Sequence, residues 1–527
     1  MPDAEDLDIA VYDGSGATVR VEHPDGSITV STDGKPLIAA PSAAPGGWWD
    51  DVSGKLGDAE LFRISDLLKR GVEDDDRSRA EWLENRKEGL KLLGLKLEGA
   101  PGAPADGAPV EGTSRVRHPL LLEAVLRFQA GARSELLPTD GPVKARDRTG
   151  ASPDLAEALE RDLNWFLTTV ATEYYPDTDR MLFMLGLGGS AFRKVYFCPV
   201  RQRPVIESID AENLIVDDGA TDLRNARRIT HRTHMGRNDI RRMQVAGVFR
   251  DVELGDPSPR SETPPEAEKR GIEGRAPGGF APDDAKYEIW EIWCDLDVAG
   301  FEHKVPGKSA PSGLDAPWRV TMERSTGTIL SIVRNYPPDG GPLPEARVRF
   351  VKYSFVPGVG FYDIGLLHML GNTTRALTAG WREMLDAGMY ATFPGFLFSD
   401  AGGANRQDTN TFRVPPGGGA QVKTGSMPIR DAIMPLPYQG PSAPLMQLIG
   451  DLAETGQRVG GTSELQVGEG RAEMPVGTML AMVEQATKVM NAVHKRLHAA
   501  QAEELRLLAE VFREHPESFW EIGRAHV

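Results

Sequence analysis

The segment Gly460-Gly461-Thr462-Ser463-Glu464-Leu465-Gln466-Val467-Gly468-Glu469-Gly470-Arg471 passes through Met474-Pro475-Val476-Gly477-Thr478 into the longest helical pattern of the chain. Apolar residues recur there at Met479, Met482, Val483, Ala486, Met490, Val493, Leu497, Ala500, Leu505, Leu508 and Phe512. That spacing is one face of a helix. Gln485, Lys488, Asn491, Lys495 and Gln501 cover much of the other side. A helix from Pro475 to Phe512 reaches about 57 Å at 1.5 Å per residue. A glycine-rich loop feeding a long rigid rod is a mechanical part rather than a pocket for chemistry.

The surrounding chain has 527 residues and a net charge of −17. That length suits about three domains and a large core. An acidic chain does not grip nucleic acid by general counterion release, which needs clustered Lys and Arg, yet it can let DNA pass without sticking. Cys198 and Cys294 are the two cysteines, so a disulfide framework is excluded and a reducing compartment is expected. No apolar run approaches the roughly 20 residues that cross a bilayer, and the acidic N-terminus does not read as a signal peptide.

In chain order, Thr18–Val21 and Ser27–Val30 predict a small hairpin around Pro24-Asp25-Gly26 in an acidic flexible arm over 1–50. Helices are expected over 55–97, with a second one starting after the run Glu73-Asp74-Asp75-Asp76, where carboxylates favour the positive helix end. A metal at that run is disfavoured because no other ligand group is near. A Gly/Pro/Ala linker covers 99–112, and helices follow at about 119–135 and 153–173, with a short one from Met181. Strands are expected at 194–197, 204–209 and 214–216, then over Tyr287–Leu296 and Trp318–Arg334. The Pro-, Gly- and Glu-rich stretch 253–284 reads as irregular. Beyond Gly358 a helix is expected over about 363–388, stopping at Gly388; short strands occupy 390–439, and a helix at about 442–455 returns to the opening segment.

Catalytic motifs fail on inspection. Gly186-Leu187-Gly188-Gly189-Ser190-Ala191-Phe192 resembles a kinase phosphate loop superficially, but the catalytic-loop Asp and the D-F-G site are missing, so a helix-to-strand turn is the better reading. Phe192 replaces the second glycine of a nucleophile elbow, and no P-loop motif occurs. His494 and His498 have the i, i+4 spacing of zinc ligands, but Lys495 and Arg496 intervene and the glutamate of H-E-x-x-H is absent. His231 and His234 fall on opposite faces of a strand by alternation. Neither enzyme activity, metal nor cofactor is expected. Arg224, Arg227, Arg228, Arg232, Arg237, Arg241 and Arg242 are offset within their own stretch only by Asp239. Acidic surface on a neighbouring subunit is the favoured partner, ahead of water and of DNA phosphates; Arg224, Arg227, Arg228 and Arg232 are the candidate subunit-interface residues.

The order of elements resembles a portal protein of tailed bacteriophages, the head-to-tail connector. Arg77-Ser78-Arg79-Ala80-Glu81-Trp82 opens a helical N-terminal region; Asp210–Asp217 and Ala226–Arg232 are similar to wing strands; Phe393-Pro394-Gly395-Phe396 resembles the return to the wing. The resemblance implies an α+β portal fold with helical wing, β-rich clip, stem helices, tunnel loop and long crown helix. It places a helical region and linker at 51–114, the wing at 115–235, and the first stem segment, excursion and clip at 236–362. The second stem helix then covers 363–389, the wing return 390–458, the tunnel loop 459–478 and the crown helix 479–520. Residues 521–527, Glu521-Ile522-Gly523-Arg524-Ala525-His526-Val527, resemble translated sequencing adapter, so the natural protein is expected to continue past Trp520.

Such a resemblance implies a homo-dodecameric ring at one capsid vertex of the virion, assembled in the host cytoplasm. Terminase drives double-stranded DNA through the ring during genome packaging, and the DNA later leaves by the same route on ejection. Implied partners are terminase, major capsid and scaffold proteins and a head–tail adaptor, without a membrane. Glu464, Gln466, Glu469, Arg471 and Glu473 become the candidate DNA-channel residues of the tunnel loop. Another capsid-associated connector or scaffold protein is the alternative reading.

Overall fold

A computed structural model of the chain describes residues 19–22, 28–31, 47–96, 114–145, 153–217, 219–258, 262–274, 285–305, 310–338, 342–392, 396–399, 419–422, 433–435, 440–461 and 476–515. The hairpin is present: β1 (Val19–Glu22) pairs antiparallel with β2 (Ile28–Ser31). Helix α1 (Asp58–Ser78) buries Leu61, Ile64, Leu68 and Val72, and the same stripe extends one turn further to Asp75. A second helix does follow the acidic run, but the run lies inside the last turns of α1 and not at the N-terminus of the new helix, where the carboxylate pattern had placed it. Carboxylates near a helix C-terminus oppose the macrodipole, and each of the three aspartates has a nearby cation. Asp74 pairs with Arg77 at 2.9 Å and Asp76 with Arg79 at 2.8 Å. Arg228 holds Asp75 through Nε and Nη2 at 2.9 and 3.0 Å. The chain breaks at Arg79 and resumes as α2 (Ala80–Leu92).

Helix α3 (Leu120–Leu136) is followed by α4 (Pro153–Trp165), whose last turn widens into a π-helical turn at Phe166–Val170, and by α5 (Tyr174–Gly188). Gly186 lets α3 and α5 approach closely: a Cβ there would lie 2.5 Å from the Phe128 ring. Strands β3 (Ser190–Cys198), β4 (Arg203–Ile209), β5 (Leu214–Val216) and β6 (Arg228–Gly236) come next, then α6 (Arg237–Val245).

The excursion over 253–284 is not wholly irregular, because it carries α7 (Pro264–Ile272). Its N-terminus has a capping box, with Glu266 accepting from the Thr263 backbone N–H at 2.9 Å and from the Thr263 hydroxyl at 3.0 Å. Lys269 docks it, bridging Asp210 at 2.8 Å and Glu212 at 3.0 Å.

Strands β7 (Lys286–Leu296), β8 (Ala316–Glu323), β9 (Ile329–Arg334) and β10 (Phe350–Ser354) follow, then α8 (Leu366–Thr392). Helix α8 continues through Gly388, where a stop was expected. Gly388 is not among the glycines with positive φ in the described residues, so it sits in the helix as an ordinary interior residue. Strands β11 (Phe396–Ser399), β12 (Gly419–Val422) and β13 (Ile433–Pro435) form a small sheet, followed by α9 (Ala443–Val459) and α10 (Val476–Glu514). The rod anticipated from the apolar spacing is thus one helix of 39 residues, about 58 Å long.

Two further sheets carry the fold. One has the order β10-β3-β4, the other β5-β6-β7-β8-β9, antiparallel throughout. The strands assigned to wing (β5, β6) and clip (β7–β9) share this second sheet. Alternation along β7 to β9 sends Trp290, Ile292, Trp318, Val320, Met322 and Ile332 into a core roofed by Ile64, Leu68 and Val72 of α1. The largest core joins α3, α5, β3, β10, the start of α8 and the second half of α10, where Val493, Leu497, Leu508, Val511 and Phe512 are buried. Phe192, Trp293, Phe350 and Phe361 fill the seam between the two sheets.

Candidate functional site

Residues Glu464, Gln466, Glu469, Arg471 and Glu473 lie outside the described residues. The supposed sequencing-adapter tail, 521–527, and the Gly/Ala/Pro linker after Leu97 lie outside them too. The four interface arginines separate into two pairs. Arg228 and Arg232 turn inward: Arg228 holds Asp75, while Arg232 donates to the Asn213 side chain at 3.0 Å and approaches Glu266 at 3.7 Å. Arg224 and Arg227 stay exposed, Arg224 lying 3.6 Å from Glu503 of the long helix. The acids that meet this stretch come from far along the chain, which a reading limited to residues 224–242 could not see. On α6, Arg237 pairs with Asp256 at 3.1 Å and Arg241 with Asp251 at 2.5 Å. Both pairs are solvated and contribute little.

The Gly188-Gly189 turn is the helix-to-strand turn anticipated. Gly189 caps α5 at φ +91, and its N–H donates to the Leu185 carbonyl at 2.7 Å. Among the described residues no group of three His, Cys, Asp or Glu is placed to hold a metal ion. His498 approaches Glu135 at 3.7 Å, and His494 is held below the ordinary imidazole range by burial. Both cysteines are buried free thiols, and burial pushes Cys294 up to about 12, the opposite of an activated nucleophile.

The structure instead gathers buried charges at two places that no motif marked. The first clamps α10 to the sheet. Arg193 on β3 reaches Glu504 on α10 at 2.8 Å, with Arg193 1% and Glu504 0% exposed. Tyr353 donates its hydroxyl to the other Glu504 oxygen at 2.5 Å, and the Tyr174 ring lies 4.7 Å beneath the guanidinium. Three further arginines brace the same helix. Arg347 and Arg349 hold Glu514 at 2.8 and 2.5 Å, and Arg496 donates to the Phe355 carbonyl at 3.1 Å.

The second place ties α2, α7 and the turn at 210–214 together. Glu212 is 0% exposed and accepts from Arg86 at 3.0 Å and Lys269 at 3.0 Å. Burial alone would raise its carboxyl; Arg86 and then Lys269 outweigh burial and hold it well below the usual range. Arg79, at the α1–α2 break, threads into the same turn and donates to the carbonyls of Glu212 at 2.7 Å and Ala211 at 3.1 Å. A sequence signal for the first clamp did exist. Arg193-Lys194 interrupts an apolar strand, so alternation must send one cation to each face. Both faces are covered, and Lys194 pairs with Glu291 of β7.

His231, beside that Lys194–Glu291 pair, carries a pH prediction. Burial, reinforced by Lys194 and opposed by Glu291, pushes its pKa from 6.5 down to about 3. Above pH 6.5 folded and unfolded chains are both neutral at this ring. As pH falls from 6.5 toward 3 the unfolded chain takes the proton first, so stability is lost across that window. Urea unfolding at pH 7.5 and 5.5 is expected to show His231→Gln losing roughly 1.4 kcal/mol less than wild type over this step. Equal losses in the two proteins would contradict the neutral, buried assignment.

These contacts pin a long helix to the β10-β3-β4 sheet, with a segment of undescribed placement at 462–475 before it. The arrangement can carry force and hold geometry. A family model described as phage SU10 portal protein matches residues 196–505, which runs from β3 to α10. No curated protein matches the chain.

Proposed function

Because the chain belongs to the phage SU10 portal protein family, we propose that it assembles into a closed, dodecameric ring at one capsid vertex. In this reading the ring is the channel for double-stranded DNA during packaging and ejection. It docks terminase, capsid and scaffold proteins and a head–tail adaptor, and acts as a conduit rather than an enzyme. The family match, spanning the strands and the long helix, is the observation that carries the reading. The pinned 39-residue helix supports it as the crown, and the glycine-rich segment before it as the tunnel loop. Summed over a dodecamer, a net charge of −17 per chain comes to roughly −200, which suits a lumen that repels phosphates. A closed ring needs two unlike patches that match, and the exposed Arg224 and Arg227 offer one of them to acidic surface on the next copy.

Negative-stain imaging of the purified protein tests the assembly: rings are expected, and a monomer under every condition would overturn it. The channel assignment has its own test. Replacing Glu464, Glu469 and Glu473 with lysine is expected to leave ring formation intact and to cut packaged DNA about tenfold, because a cationic constriction would hold the phosphate backbone. Normal packaging by the triple variant would remove these residues from the channel.

A further inference from the structure

A cavity of about 310 Å³ opens between α5, β4, the 210–213 turn and β6. Arg86, Arg180, Asn213, His231 and Arg232 are among the residues that line it. Arg86 is the anomaly. Its side chain is 2% exposed, and only Nε is used, donating to Glu212 at 3.0 Å. Nη1 and Nη2 are both buried and make no hydrogen bond within the chain. A guanidinium carries five N–H donors, and buried donors left unmet cost free energy unless something accepts from them. The packing admits this head deliberately: at Gly188 a Cβ would lie 1.6 Å from Nη1, so only glycine leaves room for it. The Nδ1 of His231, also on the wall, is buried without a partner.

Three carboxylates border the same cavity, and each is already engaged. Asp177 accepts from the Ser208 backbone N–H at 2.9 Å. Asp210 accepts from Lys269 at 2.8 Å, and Glu207 from the Tyr196 hydroxyl at 3.2 Å. Arg180 stands exposed on the lining and Arg232 buried within it. The unused donors are therefore the two buried Nη groups of Arg86, on the wall of a cavity that Arg232 and Arg180 also line.

We propose that this cavity binds a small inorganic oxyanion of the phosphate class, held by the free edge of Arg86 and by Arg232, with Arg180 at the mouth. A guanidinium edge presents two parallel N–H groups, which match two oxygens of such an anion. The bound anion would staple α2 to α5 and β6 by accepting from all of them. This rests on the cavity alone and does not depend on ring formation.

Thermal melting of the full chain, titrated with sodium phosphate against sodium chloride at matched ionic strength, tests the site. Phosphate is expected to raise the melting temperature saturably beyond chloride, and isothermal titration to show one site per chain. Arg180→Glu alters an exposed residue and is expected to fold normally, with phosphate affinity lowered about tenfold or more. Arg86→Gln, where it folds, is expected to abolish the phosphate effect. A phosphate response no larger than chloride's would overturn the proposal and leave enclosed water as the acceptor. So would an Arg180→Glu protein that binds phosphate with unchanged affinity.

Discussion

Replacing Glu504 with alanine is expected to destabilise the protein by about 3–5 kcal/mol, with the loss concentrated where the long helix meets the sheet. The substitution deletes the counterion of Arg193, which is 1% exposed and cannot reach water. It also strands the Tyr353 hydroxyl, whose acceptor is the second Glu504 oxygen. The nearest remaining carboxylate, Asp177, is 3.8 Å from the guanidinium and already accepts from Ser208. Urea unfolding gives the magnitude, and hydrogen exchange along Val493–Glu514 shows the place. Replacing both partners by apolar residues of similar size, Arg193→Met with Glu504→Leu, is expected to recover most of the loss, since a buried pair often contributes little beyond an apolar substitute. A single-variant cost below about 1 kcal/mol would show that water reaches Arg193 and that the clamp is not closed.

The second large effect is expected at the turn between α5 and β3. Gly189 has φ +91, a conformation that costs an L-residue about 1–2 kcal/mol. Space is the harder limit, because a Cβ there would lie 2.3 Å from the Asp363 carbonyl oxygen and 2.5 Å from the Gly365 nitrogen. Those are backbone atoms and cannot swing aside. The partner turn is equally tight, with a Cβ at Gly365 falling 2.4 Å from the Gly189 nitrogen. The carbonyl of Gly189 also accepts from Phe355 at 2.9 Å, so moving it disturbs the end of β10. Gly189→Ala should cost about 4 kcal/mol or more. Soluble protein with an unchanged melting curve would show that the two turns are less closely opposed than these distances require.

Local patterns were legible where local physics decides them. The apolar spacing from Met479 to Phe512 marks α10, the alternation over Tyr287–Leu296 marks β7, and the paired glycines at 188–189 mark a turn. What local pattern missed was decided by partners distant in sequence. The acidic run at 73–76 resembled a helix start because nothing nearby shows that Arg228 will hold Asp75. Helix α7 was hidden in Pro- and Gly-rich sequence, and its docking lysine answers to carboxylates near residue 210. Gly388 resembled a stop, but it does not take the left-handed conformation by which glycine commonly closes a helix, and α8 instead runs on to Thr392. Of the two buried clusters only Arg193 left a mark, as a cation interrupting an apolar strand; Arg86, Glu212 and Glu504 look like ordinary surface charges until the elements that cover them are known. The expected interface arginines divide for the same reason: two of the four are used inside the chain.

The two neighbouring cations of β3 have a mechanical consequence. Arg193 grips α10 and Lys194 grips β7, and their Cα atoms are separated by a single peptide step of about 3.8 Å. No hinge, loop or side-chain layer lies between the two attachments. A sideways load on the second half of α10 therefore reaches the five-stranded sheet through two ion pairs joined by one nearly inextensible covalent link. Compliance in this region must come from elsewhere, because a tie-bar one residue long has no slack to take up.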